Sequence, residues 1–61
     1  MTTKTYYIEN TPALDDALTT IAQSVPCFFN LSPVEMNFYE VEIEARNEDI
    51  STIERILAPL V

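Results

Sequence analysis

Glu40, Glu42 and Glu44 stand at alternate positions in the run Tyr39 to Arg46, which reads Y-E-V-E-I-E-A-R. In an extended strand successive side chains leave on opposite faces, so this spacing puts three carboxylates on one face and Val41, Ile43 and Ala45 on the other. Alternate strand residues repeat every 6.6–6.8 Å or so. That separation is comparable to the one between neighbouring phosphates on an extended nucleic-acid backbone, and the row suits a groove lined by Lys and Arg. The competing reading is the solvated side of a sheet packed on one face only. Like charges along a strand contribute nothing to packing, however, and the rest of the chain is acidic as well.

Phe38 shares the face of the glutamates, and either Tyr6 or Tyr7, with Phe28, should join it. Glu35 and Glu9 are the weaker members of the same binding set. Asp15, Asp16, Glu48 and Asp49 fall at expected helix starts, where complementing the helix dipole explains them better. They extend the negative field over the whole molecule. Aromatics left on an uncovered face commonly anchor a partner. Self-association through that face, or through the open edge of the first strand, is an equal expectation, and would make the chain a homodimer.

Catalysis finds little support. The chain has no histidine and no glycine, so there is no phosphate-cradling loop and no nucleophile beside a base. Cys27, the only cysteine, sits among Pro26, Phe28 and Phe29, an apolar setting in which a thiol packs rather than reacts. No disulfide framework and no His/Cys zinc site is available within one chain, and a flat strand row lacks the loop that wraps a calcium ion. The expectation is a non-enzyme with no cofactor and no metal.

The elements that must position these residues follow from periodicity. Lys4–Glu9 is β-branched and aromatic and reads as a strand ending at Asn10-Thr11-Pro12. Thr11 as cap and Pro12 at the first helical position open a helix. Its apolar stripe is Leu14, Ala17, Leu18, Ile21, Ala22 and Val25, and Pro26 ends it. Cys27–Leu31 reads as a second strand, Ser32–Glu35 as a turn, and Met36–Arg46 as a long third strand. Asn47-Glu48-Asp49 then caps a second helix carrying Ile50, Ile53, Ile56, Leu57 and Leu60 and stopped by Pro59, with Ser51 to Glu54 as an alternative capping box. The order β-α-β-β-α predicts an α+β fold: a three-stranded sheet, third strand central, with two helices on one face. This arrangement resembles a ferredoxin-like fold lacking its last strand, a likeness of architecture that carries no chemistry.

At 61 residues the chain suits one small domain, residues 1–61, which buries only about 60% of its unfolded surface. Ten acidic residues against three basic ones give a net charge of −7, which repels nucleic acid and anionic membranes and favours a basic protein partner. With 48% apolar residues, disorder is not expected. Neither a signal-peptide run nor a membrane-spanning stretch is present, so the expected location is the cytoplasm of a bacterial host. In size, acidity and lack of catalytic groups the chain resembles the anti-CRISPR and anti-restriction type of inhibitor encoded by bacteriophages and mobile elements. The resemblance implies that it blocks a basic, nucleic-acid-binding surface by DNA-like charge. The alternatives are a small bacterial interaction subunit, such as an antitoxin or assembly factor, and a dimeric ferredoxin-like sensor of a small ligand.

Overall fold

A computed structural model describes residues 1–61 as β1 (Thr2–Glu9), α1 (Pro12–Ser24), β2 (Cys27–Glu35), β3 (Phe38–Ala45), a 3₁₀ turn (Asn47–Asp49), α2 (Ile50–Leu57) and a closing 3₁₀ turn (Ala58–Leu60). The fold is α+β, with a three-stranded antiparallel sheet in the order β1-β3-β2 and two helices. Val41, Ile43 and Ala45 of β3 are completely buried and form the core together with Ile8, Leu14, Ala17, Ile21, Val25, Ile53 and Leu57. Both helices therefore pack on the face of β3 opposite the glutamates, which is the register the alternation demands. No helix is long and apolar enough to cross a membrane.

Several boundaries differ from expectation, each for a physical reason. The turn expected at Ser32–Glu35 is strand. β2 continues to Glu35, and the chain reverses at Met36-Asn37. The phase of the backbone ladders explains why Pro33 does not break the strand. An Asn10 N–H to Asn37 carbonyl bond of 2.8 Å extends the β1–β3 pairing by one step. The even residues of β1 therefore exchange bonds with odd residues of β3, which leaves the even residues of β3 to bond β2. Pro33 faces odd-numbered Tyr39, so its missing N–H lies on the outer edge, where proline is tolerated. An irregularity between Pro33 and Glu35 absorbs the extra residue, Val34. With no glycine in the chain, the reversal falls to Asn37 at φ 64°, a conformation Asn tolerates better than most residues. Its side-chain amide also donates to Glu9 Oε2 at 3.2 Å, so Asn37 ties the turn to the end of β1 through both backbone and side chain.

β1 begins at Thr2, two residues before the expected Lys4, because Thr2 and Thr3 still find partners in Ala45 and Glu44 and the Thr2 hydroxyl bonds the Asn47 side chain. Thr11 occupies the cap position in extended conformation but makes no side-chain cap bond; its carbonyl accepts from Leu14 N–H at 3.0 Å. The second helix opens through a 3₁₀ turn in place of a side-chain cap. Arg46 Nε instead donates to Asp49 Oδ2 at 2.9 Å, with Glu48 at 3.8 Å. Pro59 lies inside the terminal 3₁₀ turn rather than beyond a clean stop. On α1, Leu18 is half-buried at the margin of the core and Ala22 is exposed, so the buried stripe is narrower than its sequence pattern.

Tyr6 is on the helix side of β1, and its hydroxyl donates to Glu54 Oε2 on α2 at 3.3 Å. Partial burial, followed by the Glu54 charge and that hydrogen bond, raises its pKa above the ordinary tyrosine value of 10.0. The fold thus holds on to the Tyr6 proton more tightly than the unfolded chain does. The stability this supplies is complete below about pH 10 and is lost as pH climbs through the raised value. Tyr6→Phe should flatten that alkaline loss, measured as thermal midpoint against pH from 8 to 11 or so.

Candidate functional site

The face of the sheet away from the helices is uncovered, and register gives its composition. Four cross-strand rows run from β1 through β3 to β2: Thr3-Glu44-Phe28, Thr5-Glu42-Asn30, Tyr7-Glu40-Ser32 and Glu9-Phe38-Glu35. All six residues singled out from sequence, Glu40, Glu42, Glu44, Phe38, Glu35 and Glu9, meet on this face. Glu35 belongs to β2, opposite Phe38, and not to the segment before β3. Glu9 flanks Phe38 from the other side, so the two carboxylates straddle one aromatic ring roughly 10 Å apart across the strands.

The same registers correct the expectation of charge spread over the whole surface. The open face holds five of the ten carboxylates and none of the three cations. Lys4 pairs with buried Ile43 on the helix side, Arg46 is engaged by Asp49 and Glu48, and Arg55 is on α2. The face therefore carries −5 of the −7 formal charge. Neighbouring glutamates about 6.8 Å apart repel by roughly 0.6 kcal/mol in a water-like dielectric, with no cation on the face to offset it. Glu42 has two such neighbours. Glu42→Gln should leave the fold as stable as before or more so, by up to about 1 kcal/mol at low salt. The gain should vanish near 1 M salt, where the screening length is about 3 Å; urea midpoints at the two ionic strengths check this.

Aromatics interleave with the carboxylates. Of the two candidate tyrosines it is Tyr7 that faces outward, 63% exposed, with Phe28 at 70% and Phe38 at 41%. The Tyr7 hydroxyl donates to Glu40 Oε2 at 3.2 Å, which orients that carboxylate and leaves it half-buried while Glu42 and Glu44 are exposed. A depression of about 170 Å³ lies between Phe28, Phe29, Asn30, Glu42, Glu44 and Thr3. A second, of about 180 Å³, lies at the hairpin end by Glu35, Asn37, Phe38 and Tyr39. Both fall short of the 300 Å³ or so of a small-molecule pocket, while each can take one protruding side chain. A guanidinium in the first would meet two carboxylates and the face of Phe28 together, a combination that suits arginine.

The carboxylates do not converge. Strand spacing keeps them apart, and no group of three acidic or cysteine side chains is placed to hold one metal ion. Cys27 is half-buried on the helix side of β2, where burial and then the Asp49 charge raise its thiol pKa, the opposite of what activates a nucleophile.

Glu35 and Phe38 are expected from sequence at the hairpin end of the surface, but the exposed apolar residues beside them are not. The long axis of 32 Å approaches the length of nine-residue β2, about 30 Å, and Leu31, Val34 and Met36 are exposed there, Met36 at 93%. The signal available was the apolar residues Leu31, Val34 and Met36 spaced among Ser32, Pro33 and Glu35, which the assignment of a turn at Ser32–Glu35 concealed. Comparison of the chain with protein-family models, with curated proteins and with solved structures finds no match in any of the three.

Proposed function

We propose that the chain is a non-enzymatic acidic binding module, an inhibitor of the anti-CRISPR or anti-restriction type, whose open sheet face occupies the basic surface of a nucleic-acid-handling protein in the bacterial cytoplasm. The observation that carries this reading is the segregation of charge, five carboxylates and no cation on one aromatic-studded face. A spread-out acidity would serve solubility; a one-sided, uncompensated array costs stability at low and moderate salt, a cost offset when a layer of cations is laid on it. Such an array also argues against two copies joining face to face. The β-α-β-β-α order with β3 central supports the ferredoxin-like reading, with the missing last strand leaving β1 as an edge.

The test is mutual exclusion. The chain should compete with duplex DNA for a purified restriction endonuclease or RNA-guided surveillance complex, and its affinity should fall steeply as salt rises, since exposed charges are screened beyond about 8 Å at physiological ionic strength. Binding that is salt-sensitive yet indifferent to DNA would leave an acidic interaction module and remove the mimicry.

A further inference from the structure

The two edges of the sheet are built differently. On β2 the outward-facing backbone groups belong to Cys27, Phe29, Leu31 and Pro33, and the series is cut short by the proline and by the irregularity beyond it. On β1 they belong to Thr3, Thr5, Tyr7 and Glu9, because the even residues bond β3. This second edge runs eight residues without proline or bulge, and its only charges are Lys4 and Glu9, formally neutral in a chain of −7. Unprotected edges of this length recruit another strand.

We propose that β1 pairs antiparallel with β1 of a second copy, making a twofold dimer with one six-stranded sheet. The occupant is argued from charge and from phase. A seam at β1 is the one sheet boundary where the strongly acidic copies meet without net charge. The rows on β3 and on its counterpart then lie three strand spacings apart, about 14 Å, beyond the roughly 8 Å over which salt leaves charges in contact. Only odd residues offer outward groups, so odd must pair with odd, and odd residues all carry their side chains on the open face. The twofold axis therefore stands perpendicular to the sheet and both acidic faces look the same way. Pairing Thr3 with Glu9 and Thr5 with Tyr7 of the second copy, with the axis at Tyr6, uses every outward group on both strands. The result is one surface with ten carboxylates, twice the five on a single chain. The dimer does not depend on the proposed inhibitor role, since it is measured with no partner present.

Sedimentation or light scattering over a concentration series at physiological salt reads the result. The wild-type chain should pass from monomer to dimer. Thr5→Pro deletes an outward N–H and no bond to β3, and should weaken the dimer about tenfold or more, as for two copies each losing a hydrogen bond. Should Thr5→Pro fail to fold, Lys4→Glu decides, since exposed Lys4 tolerates the change and the seam becomes acidic. A wild-type chain that stays monomeric throughout, or a dimer that the folded variants leave unweakened, overturns the proposal. A monomer whose binding to a basic protein drops in these variants also overturns it, assigning the edge to a strand of that protein.

Discussion

Replacing Glu40, Glu42 and Glu44 together by lysine is expected to abolish binding to a basic partner, with a loss of more than about 100-fold in Kd, or roughly 3 kcal/mol, while the protein stays folded. The three reversals change the formal charge from −7 to −1 and turn the centre of the open face from the opposite sign of its proposed partner to the same sign. Folding should survive because the neighbours across the strands are Thr3, Thr5, Tyr7, Phe28, Asn30 and Ser32, and none of these contacts belongs to the core. Glu40 is the least innocent site, since it loses the 3.2 Å bond from Tyr7. The double variant Glu42→Lys, Glu44→Lys with Glu40 retained separates that local loss from the charge effect. Unchanged affinity in a triple variant with native circular dichroism would reject the carboxylate row as the site.

The second large effect is on stability. Leu14→Ala and Ile53→Ala should each cost about 2–5 kcal/mol by leaving a cavity, because both side chains are wholly buried, one from each helix, in the cluster over β3. At 0.05–0.15 kcal/mol per residue a domain of this size has only about 3–9 kcal/mol in all. A single truncation therefore brings the chain to the edge of unfolding at 25 °C. Leu18→Ala should cost clearly less than Leu14→Ala, since Leu18 packs at the rim of the cluster and remains partly exposed. Urea midpoints for the three variants give the order, and losses below about half a kcal/mol at Leu14 or Ile53 would mean that the packing around them is wrong.

What could be read from sequence was what period alone decides. The alternation through Tyr39 to Arg46 placed β3, its buried face and its carboxylate face correctly, and the helical stripes placed the two helices on the opposite side from the glutamates. The hairpin was misplaced because a proline ordinarily ends a strand, and its tolerance at position 33 depends on which way that residue's N–H points, a matter of ladder phase that no local pattern contains. The pairing of Glu9 and Glu35 around Phe38 depends on the same register. So does the concentration of charge: the helix-side acids are accompanied by all three cations, and only the assembled sheet separates them from the five that have none. The identity of a partner was not legible, because a row of glutamates recognises charge and spacing rather than any one protein.

β3 is held by hydrogen-bonded ladders on both sides and buries three of its eight side chains, Val41, Ile43 and Ala45, in the core, and it also bears the central carboxylates. Its amides should be the last in the protein to exchange with solvent, opening only when the whole domain opens. The comb of glutamates is thus mounted on the least deformable segment of the chain, and docking it sacrifices side-chain freedom but almost no backbone freedom. In the proposed role, a flexible single strand of nucleic acid competing for the same basic surface would surrender backbone freedom at every nucleotide, which favours a rigid competitor with far fewer charges.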